Sequence, residues 1–316
     1  MRNKKLMSAF LMLLVTLVSL TSASYAWFSA NVAVQVGGFE LNVEAADGIQ
    51  VSTDAVSWRA SLNVEDLLNN AYEGHTNQVP NILAPVSTIG SQEAGSFAMY
   101  SGTLNEGGTT TLDTEGPRSE SPGDSGEYVA FDLFIRTTTT EDIFLGDGST
   151  VEYVGTGDSV GLEYSSRVGF LYQGTATNYS PTDAIALAGG TSSDQVIWEP
   201  HALSNTDFAI GQGAQVGLKE EYWGVATEGT ELDFLNPTSP DFEIVQTITP
   251  DTDTEPFELI EANRLFTAQP GITKIRVYIW FEGQDIDNEN SVAIGTMDDP
   301  ESFISVVLRL VKPEEE

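Results

Sequence analysis

The chain has 316 residues, 47 of them acidic and 13 basic, for a formal net charge of −34 at pH 7, with no cysteine and two histidines. Such a charge repels phosphate backbones and anionic lipid head groups, which argues against a nucleic-acid partner or electrostatic membrane binding and makes cations the favoured counter-ions. Without cysteine there are no disulfides, zinc thiolates or Fe–S clusters, so the fold must rest on its core, for which 41% hydrophobic residues suffice.

At the start, Arg2, Lys4 and Lys5 precede an apolar run from Leu6 to Leu20, and Ser24-Tyr25-Ala26 forms a small-x-small cleavage pattern. Residues 1–26 are therefore predicted to be a secretory leader ending at Ala26, and the mature chain to begin at Trp27. The apolar run is shorter than the ~20 residues that span a bilayer. No later stretch is longer, so no membrane attachment is expected after cleavage. The leader holds three of the basic residues and none of the acidic ones, so removing it makes the chain more negative still; Lys219, Lys274 and Lys312 are the lysines that remain.

The mature chain opens with "WFSANVAVQVGGFELNVEA", residues 27–45. Val32, Val34 and Val36 alternate with Asn31, Ala33 and Gln35, the period of a strand with one apolar face. Gly37-Gly38 then breaks the pattern before it resumes at Phe39, Leu41 and Val43. Glycine reaches dihedrals closed to other residues, so the pair predicts a hinge on which Trp27–Val36, with Trp27 and Phe28 at its tip, can swing away from the body. Docked on its own domain, the segment is an ordinary first strand. Entered into the groove of a neighbour, it makes each molecule both donor and acceptor, and such head-to-tail contacts grow into filaments.

Further along, Ile49–Ser52 reads as a strand, and Asn63-Val64-Glu65-Asp66 as a capping sequence opening a short helix through Leu68. The stretch 91–127, rich in Gly, Ser, Thr and Glu, reads as a surface insertion, and the Gly-rich stretch Thr137–Ser159 continues it. From Tyr128 to Arg136, Val129, Phe131, Leu133 and Ile135 share one face. Gly161–Tyr172, Val196–Trp198 and Phe242–Ile248 are further strand candidates, a second acidic insertion is expected near 200–256, and Pro256–Phe266 is ambiguous between helix and strand. Lys274–Phe281 alternates Ile275, Val277, Ile279 and Phe281 with Lys274, Arg276, Tyr278 and Trp280. Ser302–Val311 is more continuously apolar, as a central strand covered on both faces would be. The expectation is an all-β protein: one large antiparallel sandwich or jelly roll over residues 39–316, with long acidic loop insertions and one or two short helices.

The leader running into "SYAWFSANVAVQVGGFELNVEA" resembles the TasA/camelysin group of secreted proteins of Gram-positive bacteria. That resemblance implies a jelly-roll domain, processing by a dedicated signal peptidase, and assembly into biofilm-matrix fibres through N-terminal donor strands. By position, Trp27–Val36 is the donor and Gly37-Gly38 the hinge. The segment Ile279–Asp285, "IWFEGQD", resembles a Trp-x-Glu-Gly-x-Asp stretch of other β-rich secreted proteins of these bacteria. Metalloprotease activity has been described within the group, but this chain has no H-E-x-x-H, and His75 and His201 lie far apart. No G-x-S-x-G, P-loop or dinucleotide fingerprint is present either, and Glu282 with Asp285 or Asp287 is a carboxylate pair of the kind chance supplies in an acidic chain. The chain is therefore read as a non-enzyme.

Calcium is the expected ion if there is one. Asp285, Asp287 and Glu289 alternate in "DIDNENSVAIGT", which lacks the glycine and final glutamate of an EF-hand but offers hard oxygen ligands in a loop. Asp251–Glu255 and Asp147–Asp158 are alternatives. The function expected is a secreted structural subunit of an extracellular filament, at the cell surface or in a biofilm matrix, with neighbouring copies as partners. The alternative is a monomeric secreted adhesin or carbohydrate-binding module for matrix polysaccharide, with Trp58, Trp198, Trp223 and Trp280 as platform candidates.

Overall fold

A computed structural model describes residues 34–35, 39–46, 48–80, 82–88, 95–97, 99–104, 110–114, 125–155, 161–190, 194–201, 204, 223–225, 231–232, 242–244, 247–248, 257–282 and 303–313. In chain order the strands are β1 (Val34–Gln35), β2 (Phe39–Ala45), β3 (Gln50–Ser52), β4 (Ser61–Asn63), β5 (Ile82–Leu83), β6 (Ser87–Thr88) and β7 (Met99–Leu104). Next come β8 (Thr110–Thr114), β9 (Ser125–Gly126), β10 (Val129–Thr137), β11 (Glu141–Leu145), β12 (Thr150–Val154), β13 (Ser166–Ala176) and β14 (Gln195–Trp198). Last are β15 (Trp223–Val225), β16 (Glu231–Leu232), β17 (Phe242–Ile244), β18 (Thr247–Ile248), β19 (Arg264–Ala268), β20 (Gly271–Phe281) and β21 (Phe303–Val311). Two short helices are described, α1 (Val64–Asn69) and α2 (Pro181–Ile185).

These strands make an all-β sandwich. One sheet runs β18-β14-β13-β20-β10-β3; the other runs β19-β11-β21-β2-β4, with β12 also paired to β21. Long, β-branched and aromatic β20 is the spine of the first, antiparallel to β10 from Val129↔Ile279 to Thr137↔Gly271 and to β13 on its other side. The apolar faces of the two sheets meet. Val129, Phe131, Leu133 and Ile135 of β10 and Ile275, Val277, Ile279 and Phe281 of β20 pack in one core with Leu41 and Val43 of β2 and Ile304, Val306, Leu308 and Leu310 of β21. Most pairings are antiparallel, but β2 lies parallel to β21, β18 to β14 and β9 to β5.

One expectation about burial is reversed. Strand β21, expected to be covered on both faces, alternates buried with partly exposed residues, and Arg309 on its outer face is exposed. Strand β20 is buried on both faces: Tyr278 and Trp280 are 2% and 0% exposed. A second layer covers that face, where Val86, Phe97 and Met99 pack on Tyr128, Leu171, Ile197, Tyr278 and Trp280. Beside it Ala184 of α2, with Ile185 and Leu187, packs near Phe134 and Ile272. The covering residues come from the segment between β5 and β7 and from the excursion after β13, neither of which carries a long periodic pattern.

Other differences are local. Within Thr137–Ser159, β11 and β12 are core strands, placing Ile143, Leu145 and Val151 in the central cluster. The stretch 161–165 is turn, with β13 beginning at Ser166. The ambiguous segment before Phe266 resolves into a 3-10 turn, Glu261–Asn263, followed by β19. Helix α1 has the expected cap: Asn63 Oδ1 accepts from Asp66 N (3.1 Å) and Asp66 Oδ2 accepts from Asn63 N (3.3 Å).

Candidate functional site

The first strand stands outside both main sheets. Val34–Gln35 pairs antiparallel with β5 of the same chain, Val34 opposite Leu83 and Gln35 opposite Ile82. On its other side β5 pairs parallel with β9, so β1 is one edge of a three-stranded sheet of two-residue strands. Downstream the chain is anchored differently, since β2 runs for seven residues between β21 and β4. Leu83, in the acceptor strand, reaches into the main core and is fully buried. The acceptor was missed in the sequence, although its signal is there: Ile82-Leu83 sits between Pro80 and Pro85, and proline bounds a short strand because it cannot donate to a ladder.

The other candidate site residues, Ala26, Trp27, Phe28, Val32, Val36, Gly37, Gly38, Asp285, Asp287 and Glu289, lie outside the described residues. Among the described residues no group of three or more metal-ligating side chains converges. His201 is buried, with Nε2 2.7 Å from Val151 O and its ring 4.9 Å from Tyr164. Of the proposed aromatic platform, Trp198 and Trp280 are fully buried in the two layers, which removes them from it; Trp58 is half-buried. The Trp280 indole donates to Glu282 Oε2 (3.0 Å), tying the "IWFEGQD" stretch to the covered face of β20.

That covered face also buries charge. Asp132 on β10 lies opposite Arg276 on β20 and diagonal to Lys274. Arg276 Nη1 donates to Asp132 Oδ1 (2.8 Å), Lys274 Nζ lies 3.3 Å from Oδ2, and the Tyr72 hydroxyl donates to Oδ2 (2.5 Å). Asn77 Oδ1 accepts from the Asp132 amide at 2.9 Å. Burial alone would raise the Asp132 carboxyl, but the two cations and the Tyr72 hydrogen bond outweigh it and hold it below its ordinary 3.8. Burial, then the Asp132 charge, pushes the Tyr72 phenol well up. Lys274 also donates to Ile185 O (3.1 Å) and Leu187 O (3.0 Å), so it pins the α2 excursion to the sheet. This is the chemistry of a clamp: Lys274 links Asp132 in the sheet to the Ile185 and Leu187 carbonyls of the covering segment. A second buried pair, Arg167 Nη2 to Glu199 Oε1 (3.0 Å), links the start of β13 to the end of the neighbouring β14.

No protein-family model, curated protein or solved structure matches this chain.

Proposed function

We propose that the protein is a secreted structural subunit of an extracellular filament, in which the segment ending at β1 leaves its own β5 and pairs with the β5 of the next molecule. The observation that carries this is the ladder itself. Among the described residues, Val34 and Gln35 are those of the first strand that pair with the body, and they pair with a satellite sheet. Each main-chain hydrogen bond there contributes on the order of 1 kcal/mol net, so release from the body costs little beside the stability of a domain. An identical ladder forms when the strand enters the same site on a neighbour, so exchange in trans replaces what it breaks and concentration decides between them. The contact is heterologous, and a repeat that does not close extends into a fibre. Released, β5 would present an unpaired edge, which a donor from the next subunit would cover.

Purified protein beginning at Trp27, imaged by negative stain and sized by light scattering, should form filaments. A chain beginning at Phe39 should remain folded by circular dichroism yet stay monomeric. Filaments from the shortened chain, or a full-length mature chain that is monomeric at all concentrations, would overturn the proposal.

A further inference from the structure

Where the two main sheets end near β3, a cleft of about 720 Å³ opens among Gln50, Trp58, Arg59, Arg136, Thr138 and Tyr179. Its size falls in the range of small-ligand sites. Arg136 and Gln50 sit directly opposite each other on β10 and β3. Arg136 Nε donates to Gln50 Oε1 (3.0 Å), Nη2 donates to the same oxygen, and the guanidinium carbon lies 4.7 Å from the centroid of the Trp58 ring. The group is thus fixed along one edge and stacked on one face, with its Nη1–Nη2 end as the remaining fork.

The surroundings of that fork are unusual for this chain. Arg59, Arg167, Arg264, Lys274, Arg276 and Lys312 each pair with a carboxylate, and Arg309 donates to the Asp147 carbonyl. Among the described residues, none brings a carboxylate within ion-pair distance of Arg136, although acidic residues outnumber basic ones 47 to 13. Arg59, beside it, is already neutralised by Asp66. The walls are aromatic and their backbone is held in costly conformations. Both non-glycine residues with positive φ among the described residues, Ala55 (59°) and Tyr179 (57°), belong to the loops that carry the two rings. The first loop is wound about Asp54, whose Oδ1 accepts from Val56 N (2.8 Å) and Ser57 N (2.6 Å), and the Tyr179 hydroxyl donates to Thr137 O (3.0 Å).

We infer that this cleft binds a uronate residue of an acidic polysaccharide, its carboxylate on the Arg136 fork and its ring against Trp58 and Tyr179. A planar carboxylate matches the two parallel N–H bonds of a guanidinium end. The apolar C–H face of a pyranose suits an aromatic wall, and ring hydroxyls find Gln50 and Thr138 as polar neighbours. A bare inorganic anion would use the fork and leave the Tyr179 ring uncovered. The site lies on the body of the sandwich, so it is independent of strand exchange: the chain beginning at Phe39 keeps it.

The test is calorimetric titration of that shortened chain, at physiological ionic strength, with trigalacturonate, neutral galactotriose and a triglutamate peptide. Trigalacturonate should bind, galactotriose at least tenfold more weakly. Arg136→Gln should lower trigalacturonate affinity at least tenfold, Arg136→Lys should restore part of it, and Glu152→Gln on β12 should change nothing. Circular dichroism confirms that each variant folds. Absence of trigalacturonate binding, equal affinity for the neutral sugar, or indifference to Arg136→Gln would overturn the site; equal or tighter binding of triglutamate, lost in Arg136→Gln, would overturn the saccharide assignment in favour of an acidic peptide.

Discussion

Asp132 shows how a residue acquires its role from its surroundings. In the sequence it is one acid among 47 on the less apolar face of a strand. In the fold it is 2% exposed and is the counter-charge of two cations on the next strand. Asp132→Asn would leave Lys274 and Arg276 buried side by side without it, at a cost of about 3–5 kcal/mol. Urea unfolding at pH 7 should show a loss of that size. Because the folded carboxyl lies below its ordinary 3.8, its contribution is fully present above that pH and is lost as the pH falls further. The gap between wild type and Asp132→Asn should therefore be constant near neutrality and shrink below about pH 3.8; a gap that widens in acid would refute the clamp. Alternation placed Asp132, Lys274 and Arg276 on the correct faces of their strands. The register that brings them into contact, and Tyr72 sixty residues away, could not be read from either strand alone.

At the scale of elements, strands with strict alternation or a long apolar run were legible: β10, β20 and β21 lie within a residue or a few of where their patterns put them. What each strand faces was not, because burial of the second face depends on which other segment lands on it. Gly169 in β13 makes the point. A glycine inside a strand weakens it, and its use here is spatial: a Cβ at Gly169 would overlap the Phe97 ring and press on Trp280. The covering layer thus approaches the β13 backbone itself. Gly169→Ala should displace Phe97 and destabilise the protein by about 1–3 kcal/mol, the range for overpacked cores. Thermal unfolding followed by near-UV circular dichroism would read both the loss and the altered aromatic environment. Strands β11 and β12 went unread because the Gly146-Asp147-Gly148 turn and the acids around it hid two segments of five residues each.

For the whole molecule, charge sets the terms. A net −34 works against compactness in one molecule and against contact between two. Raising the ionic strength from 0.01 M to physiological levels shortens the screening length from about 30 Å to about 8 Å. The thermal midpoint should rise over that range, and filaments of the mature chain should become more abundant with salt or calcium. Turbidity and electron microscopy with and without EDTA would check this; equal filament mass at low salt with chelator would show that repulsion does not limit assembly.

Alternation of apolar and polar residues by itself determined that this is an all-β sandwich and which faces of β10 and β20 enter the core, because period two is a property of the extended chain. Composition, likewise, determined the acidic surface and ruled out thiol chemistry. Only the tertiary structure decided that the second face of β20 is roofed, that Asp132 is clamped between two cations, that β1 rests on Ile82-Leu83 and that Arg136 is held against Trp58 with no carboxylate partner among the described residues. Each of these joins residues far apart in the chain through strand register or the landing of one segment on another, and neither is encoded in any single stretch of the sequence.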